Sequence, residues 1–191
     1  MGRALPTERD AFAAVDELHA KGIRWVVVTS GRWAASGAAP TITVLGSQRL
    51  GMSCSAPTTE ATALAFDMES VPALCRAPTI APDRSPKRFR IEIPQLDEMF
   101  TGTGDLTAAL LLAWTARAPG QLQAATERVV ASVQAVLQRT YAAYCLARQG
   151  RTFATTAEEQ AFRRRELELR LIESKADLEA PEIRIHAQPV P

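Results

Sequence analysis

The chain has 191 residues, of which 47% are hydrophobic and 23% charged, so it has ordinary globular composition and is not wholly disordered or collagen-like. Lys and Arg number 22 and Asp and Glu 21, which gives a net charge of +1 and no bulk electrostatic reason to bind nucleic acid or an anionic membrane. No apolar stretch is long enough to span a bilayer. Residues 1–20 carry Glu8, Asp10, Asp16 and Glu17, which is untypical of a secretory signal.

The cysteines and histidines narrow the chemistry further. Three cysteines without CxxC spacing argue against a disulfide framework and predict reduced thiols in the cytoplasm. Only two histidines are present, His19 and His186, which excludes a histidine-rich metal site. A Ser-His-Asp triad would have to use one of these two poorly placed side chains.

The first half of the chain predicts one helix and three strands. The helix covers residues 7–21 and is capped by Thr7. The run WVVVTSG at 25–31 is typical of a strand buried on both faces, as in a parallel sheet flanked by helices. A second strand is predicted at 41–45, and a third at 89–93, where apolar and charged residues alternate.

Residues 48–87 differ from the rest of the chain. They contain five of the twelve prolines, many Ser, Thr and Ala residues, and no lasting period of 2 or 3.6. We expect a disordered, mobile insertion here. A lineage-specific insertion and a mistranslated intron remain open as its origin.

The second half is predominantly helical. Residues 105–117 are apolar nearly all round, which predicts a helix lying deep in the structure. Residues 121–148 have the spacing of a long amphipathic helix that ends at Gly150. The segment 167–172 is compatible with either a strand or a helix end, and the prolines after residue 180 predict a loose tail.

The segment FTGTGDL at 100–106 has the strongest chemical pattern, because it follows a strand and precedes a helix. Its two glycines allow a tight turn and the close approach of a ligand. The free N–H groups and the positive end of the helix would face that ligand, which suits a phosphate. Asp105 would stand beside the phosphate as a general base. The alternative is a simple turn with an aspartate N-cap.

A wider pattern favours the phosphate site. Thr29 and Ser30 end the apolar strand, at the edge where open α/β sheets bind ligands. The segments VVVTS, TVLGSQR, FRIEIPQLDEMFTGTGDLTAALLLAW, VLQRT and ELRLIESKADLEAPEI occur in this order. Together they closely resemble the C-terminal half of the pyridoxal kinase family, within the ribokinase-like superfamily. The resemblance runs from about Gly2 to Ile185 and is interrupted only at 48–87.

The resemblance implies a fold and a set of roles. Residues 1–191 would be a partial kinase domain of α/β class, the C-terminal part of a doubly wound, mostly parallel sheet. Asp105 would contact the substrate and deprotonate the 5′-hydroxymethyl group of a B6 vitamer. The anion hole for the transferred phosphate would consist of Gly102, Thr103 and Gly104. The residues in contact with ATP would be Thr29, Ser30, Leu96, Phe100, Thr103 and Leu137.

The resemblance also implies partners and a limit. ATP, a divalent ion such as Mg²⁺, and a homodimer belong to the family pattern. A complete member has a further N-terminal half, with most of the vitamin pocket and the acidic residues near the metal, that has no counterpart here. We therefore expect the chain alone to be inactive. Two other interpretations stay open: a non-catalytic truncated product that binds nucleotide or pairs with a full-length subunit, and a ribokinase-like kinase for another hydroxymethyl substrate.

Overall fold

The computed structural model describes residues 7–33, 41–49 and 86–191. Five helices and four strands occur in these ranges, and no helix there is long and apolar enough to cross a membrane. In chain order they are α1 (Glu8–Ala20), β1 (Trp25–Gly31), β2 (Thr41–Gln48), β3 (Lys87–Pro94), α2 (Thr103–Arg117), α3 (Leu122–Arg148), α4 (Thr156–Glu166), α5 (Lys175–Glu179) and β4 (Gln188–Val190).

The strands form one sheet in the order β1-β2-β3-β4. Helices pack beside this sheet, which confirms the α/β class. All three described pairings are antiparallel, however, so the expected mostly parallel arrangement is wrong for these strands. For the β1–β2 pair the reason lies in the connection, residues 32–40, which is too short for the dozen or more residues that a parallel crossover requires.

Strand β1 lies at the edge of the described sheet rather than in its middle. Only its last residue, Gly31, is buried, and the other residues are exposed or half-buried. The prediction of a strand buried on both faces is therefore wrong within the described part of the chain. The physical reason is that β1 pairs there with β2 alone, which leaves one strand edge and much of its apolar surface open.

Helix α1 forms as its sequence predicts. The Thr7 hydroxyl accepts a hydrogen bond from the Asp10 amide at 3.1 Å, and the Asp10 carboxylate accepts one from the Thr7 amide at 3.2 Å. This reciprocal capping box satisfies two amides that the helix itself cannot. Phe12 and Val15 are buried, and Phe12 belongs to a cluster with Leu45 of β2.

The main core lies between the sheet and helix α3. Phe89, Ile91 and Ile93 alternate along β3 and point toward Leu122 and Val130 of the helix. Gly46 of β2 gives room to this core, because a Cβ there would lie 2.0 Å from the Phe89 ring. The predicted amphipathic helix at 121–148 is thus confirmed, and its apolar face covers the sheet.

Helix α2 does not lie deep in the structure. None of its residues is buried, and Leu112 is 74% exposed. Within the described part of the chain its principal neighbour is α3. The prediction of a deeply placed helix is wrong because a helix that is apolar all round needs packing partners on every side, and α2 has one principal partner here.

The C-terminal region is more ordered than a loose tail. Phe162 of α4 and Leu167 pack on Tyr144 of α3. Leu167 is the C-cap of α4, so the segment 167–172 begins as a helix end, and no strand forms in it. Strand β4 pairs with β3, with Pro189 opposite Phe89. The predicted insertion at 48–87 falls outside the described residues except at its ends, where Gln48 and Lys87 are register partners.

Candidate functional site

The turn between β3 and α2 has the geometry of an anion site. Gly102 is the N-cap of α2 with φ of 86°, a left-handed conformation that residues with a Cβ rarely adopt. The first backbone hydrogen bond of the helix runs from Leu106 N to Gly102 O at 3.0 Å. The amides of Thr103, Gly104 and Asp105 precede it and have no partner in the helix, so they are available to a ligand.

The aspartate of this turn does not cap the helix. Asp105 lies three residues after the N-cap, and no side-chain hydrogen bond caps the helix start. Its carboxylate is exposed and has no hydrogen-bond or ion-pair partner among the described residues. A Cβ on Gly104 would meet nothing within 4 Å, so the backbone beside Asp105 faces open space. These observations disfavour the simple capping interpretation and leave the carboxylate free for chemistry.

A cavity of about 230 Å³, here called the sheet cavity, lies between the sheet, the turn and helix α3. Its walls combine the apolar side chains of Val44, Ile93 and Val129 with hydroxyl and amide groups. Every residue predicted to contact ATP lines it, together with Gly104: Thr29, Ser30, Leu96, Phe100, Thr103, Gly104 and Leu137. Elements far apart in the chain therefore meet at one place.

A second cavity, the loop cavity, of about 1130 Å³, lies on the other side of the turn. Gly102 and Asp105 line this cavity, together with Met99, Leu169 and the arginine side of α4. Thr103 and Gly104 line the sheet cavity instead. The structure thus does not bring all the predicted site residues into one pocket, because the first and last residues of the turn line one cavity and the two middle residues line the other.

Glu98 lines both cavities and fixes the segment that separates them. Its carboxylate, 9% exposed, pairs with Arg163 of α4 at 2.5 Å. The hydrogen bond and the charge of Glu98 raise the pKa of Arg163 above its ordinary value. From the sequence alone, the run Arg163-Arg164-Arg165 beside glutamates predicts a solvated helix face rather than this pairing with Glu98. A pairing across 65 positions leaves no local signal in the sequence from which this contact could be found.

Several polar residues of the sheet cavity were not singled out from the sequence, among them Arg32 and Gln134. Gln134 lies on the helix α3 wall, and Arg32 follows directly on β1. Arg32 could have been selected from the sequence, because it stands two positions after Ser30 at a predicted strand end. Nothing in the sequence distinguishes Gln134 from other residues of the amphipathic helix.

The described residues do not fit a resident divalent cation. No group of three His, Cys, Asp or Glu side chains in the described ranges could hold a metal ion. Asp105 lies in the turn and Glu98 lines both cavities, but the Glu98 carboxylate is already paired with Arg163. The described part of the chain therefore offers too few ligands to hold such an ion by itself.

The fold is similar to that of about half of each of several solved pyridoxal kinase structures. The structure is similar to the pyridoxal kinase from Leishmania donovani in complex with ADP and pyridoxamine, with a TM-score of 0.60 and 21% sequence identity. That similarity covers 98% of this chain and 46% of the Leishmania chain.

The sequence comparison is more specific than the fold. The chain is 34% identical to pyridoxal kinase from Bos taurus and 32% identical to that from Homo sapiens, over 97% of its length in each case. It spans 48% of each of these relatives, about half of their length. The resemblance to the pyridoxal kinases is confirmed, and half coverage fits the expected C-terminal half. No protein-family model matches the chain.

Proposed function

We propose that this chain is the nucleotide-binding half of an ATP-dependent kinase that phosphorylates the 5′-hydroxyl group of pyridoxal and related B6 vitamers. One observation carries the proposal: the Gly102–Asp105 turn lies between two cavities, with Thr103 and Gly104 lining one and Asp105, whose carboxylate has no partner among the described residues, lining the other. A phosphoryl transfer needs a phosphate donor on one side of an anion site and a base beside the acceptor on the other.

ATP would occupy the sheet cavity. The apolar wall around Leu96 and Leu137 suits the adenine ring, and the hydroxyl groups of Thr29 and Ser30 suit the polar part of the nucleotide. A volume of about 230 Å³ encloses part of a nucleotide, so the phosphates would extend toward the amides of Thr103 and Gly104. Complexes of relatives with ADP support this assignment.

The acceptor would approach from the loop cavity, where the Asp105 carboxylate is exposed. Asp105 takes the proton of the hydroxymethyl group as its oxygen attacks the γ-phosphorus of ATP. The bond between the γ-phosphorus and the β–γ bridging oxygen breaks, so that ADP leaves with the bridging oxygen. The turn amides stabilise the charge on the transferred phosphate.

The donor would be Mg–ATP, with the ion carried by the phosphates. The remaining vitamin contacts would come from the half of the relatives that this chain does not span. A homodimer is likewise proposed on the family pattern. A cytoplasmic location is proposed on the three cysteines without CxxC spacing, and Cys145, which the structure describes, is free and exposed.

The first experiment measures nucleotide binding by the chain, using a fluorescent ATP analogue. Saturable binding is expected, and Gly102→Val should abolish it, because valine cannot hold φ of 86° without distorting the turn. Gly150→Val is the matched control: Gly150 also has positive φ, at 70°, but lies at the far end of α3. Equal binding by both variants would contradict the anion site.

The second experiment tests catalysis. The 191-residue chain is assayed for pyridoxal 5′-phosphate formation with Mg–ATP, alone and after adding a separately expressed N-terminal half of a related kinase. Activity only on complementation is expected, since orientation of the acceptor accounts for much of the rate. Robust activity of the chain alone would overturn the two-half assignment.

A non-catalytic role is the second candidate. The exposed apolar side chains of α2 and the open edge of β1 favour it, because such surfaces pair readily with another subunit. In that case nucleotide binding persists, complementation yields no product, and the chain associates with a full-length kinase. Activity on another hydroxymethyl compound but not on B6 vitamers would instead favour a different ribokinase-like kinase.

A further inference from the structure

The charges that line the sheet cavity are few. Among the described residues of its wall, Arg32 is the only cation and Glu98 the only anion. A nucleotide carries several negative charges on its phosphates, so a site for it needs cationic or N–H groups and must avoid free carboxylates.

Glu98 is not a free carboxylate. Its side chain is 9% exposed and pairs with Arg163, which lies on the wall of the loop cavity. The negative charge next to the sheet cavity is therefore balanced from outside it. A phosphate in the sheet cavity would meet a neutral ion pair at this wall rather than a repelling charge.

Arg32 has the opposite character. It is exposed, and its guanidinium forms no hydrogen bond, ion pair or ring contact with other described residues. By contrast, Arg88, Arg90 and Arg139 each pair with a carboxylate. Arg32 follows directly on β1, two positions after Ser30, and shares the cavity wall with Thr103 and Gly104. An uncompensated guanidinium thus stands on the same cavity as the free amides of the turn.

We propose that Arg32 binds the nucleotide phosphates in the sheet cavity and thereby strengthens binding of nucleoside di- and triphosphates over nucleosides. The proposal rests on the proposed nucleotide site and adds a residue to it. The planar guanidinium can donate two parallel hydrogen bonds to phosphate oxygens while the turn amides donate to others. Together they would hold the phosphate chain between β1 and α2.

The test compares ligands with and without phosphates. Binding of ATP, ADP and adenosine is measured by calorimetry for the unmodified chain, Arg32→Gln and Arg32→Lys. Loss of a charge-assisted hydrogen bond predicts roughly 10-fold weaker ATP binding by Arg32→Gln. Arg32→Lys should recover part of this loss, because lysine keeps the charge but not the bidentate geometry. Adenosine binding should be unchanged in all three.

The matched control is Arg9→Gln, which removes the same charge from an exposed arginine of α1 that does not line the sheet cavity. Its ATP affinity should equal that of the unmodified chain. The salt dependence of ATP binding should be weaker in Arg32→Gln than in the control, since one phosphate-facing charge has gone. Circular dichroism verifies that each variant keeps its helices.

The outcomes separate two failures. If the unmodified chain does not bind ATP saturably, both the proposed function and this role of Arg32 are overturned. If it binds ATP and Arg32→Gln binds equally tightly, the role of Arg32 alone is overturned. The same holds if Arg9→Gln loses as much affinity, or if adenosine binding falls in parallel with ATP binding. Loss specific to ATP and ADP, partly restored by lysine, supports the role.

Discussion

Helix α2 leaves its apolar side chains open to solvent, whereas its neighbour α3 buries a continuous row of residues from Leu122 to Tyr144. The two helices pack on each other, but α3 also has the sheet on one face and the α4–α5 region on another. Apolar composition alone therefore does not determine burial in this chain. The number of packing partners determines it, and α2 has its main partner in α3.

The strongest test of this difference in burial between α2 and α3 is to place the same charge in each helix. Val136 of α3 is fully buried, so Val136→Asp should lower the free energy of unfolding by roughly 3–5 kcal/mol, the scale for an uncompensated buried charge. Leu112→Asp on α2 should change it by about 1 kcal/mol or less, because Leu112 is 74% exposed. Urea unfolding followed by circular dichroism measures both.

The same pair of variants has a second use once the chain is joined to the N-terminal half of a related kinase. If the added half covers α2, Leu112→Asp should then destabilise nearly as much as Val136→Asp. An unchanged small effect in the joined protein would mean that the exposed face of α2 serves something other than this half.

The next effect concerns chemistry at the start of α2. In the joined protein, Asp105→Asn should reduce turnover by roughly 100-fold or more, the usual scale for loss of a general base. The KM for ATP should change much less, because the carboxylate faces the loop cavity and not the sheet cavity. Glu168→Gln is the control, since it removes the same charge from a carboxylate of the same cavity that lies outside the turn. Near-normal turnover of Asp105→Asn would remove Asp105 from the mechanism.

A smaller effect is expected where the two helices are tied to the sheet. The Gln48 side chain donates to Gly120 O at 2.7 Å and accepts from Leu122 N at 3.0 Å, at the α2–α3 connection. Gln48 is 5% exposed, so Gln48→Ala leaves buried groups unpaired and should cost about 1–3 kcal/mol of stability. Gln188→Ala, at an exposed position on β4, should cost less than about 0.5 kcal/mol. Thermal melts compare the two.

The smallest effect is predicted for the stretch that belongs to neither helix. Replacing 51–86 by a short Gly/Ser linker should shift the unfolding free energy by about 1 kcal/mol or less, because loop closure depends only weakly on length. The linker joins positions next to the paired residues Gln48 and Lys87. A large loss of stability would show that the replaced residues pack as part of the fold.

The local features of this fold could be predicted because short-range chemistry dictates them. Residues close together in the sequence determine the capping box at Thr7, the period of α3 and the glycine turn before α2. Features that depend on distant partners could not be predicted in this way. The exposure of α2, the edge position of β1 and the pairing of Pro189 with Phe89 depend on which elements meet in space.

In the candidate site, too, local features could be predicted from the sequence and long-range contacts could not. The residues of the turn, the strand-end hydroxyls and Leu137 could be selected from motif and resemblance, and the sheet cavity unites most of them. That Gly102 and Asp105 face a separate cavity depends on the direction of each residue in the turn. The ion pair of Glu98 with Arg163 joins two segments that no periodicity relates.

The buried side chain of His19 should give an NMR signal that reports on the contact between α1 and the sheet. Nδ1 of His19 lies 2.6 Å from the Ile23 carbonyl and Nε2 lies 2.8 Å from the Ser47 hydroxyl, so the ring spans from α1 to β2. His186, the second of the two histidines in the sequence, is exposed. Imidazole NMR of the chain should accordingly give one slowly exchanging ring and one rapidly exchanging ring. The slow signal would report, without any added label, when α1 detaches from the sheet during unfolding or on joining a partner half.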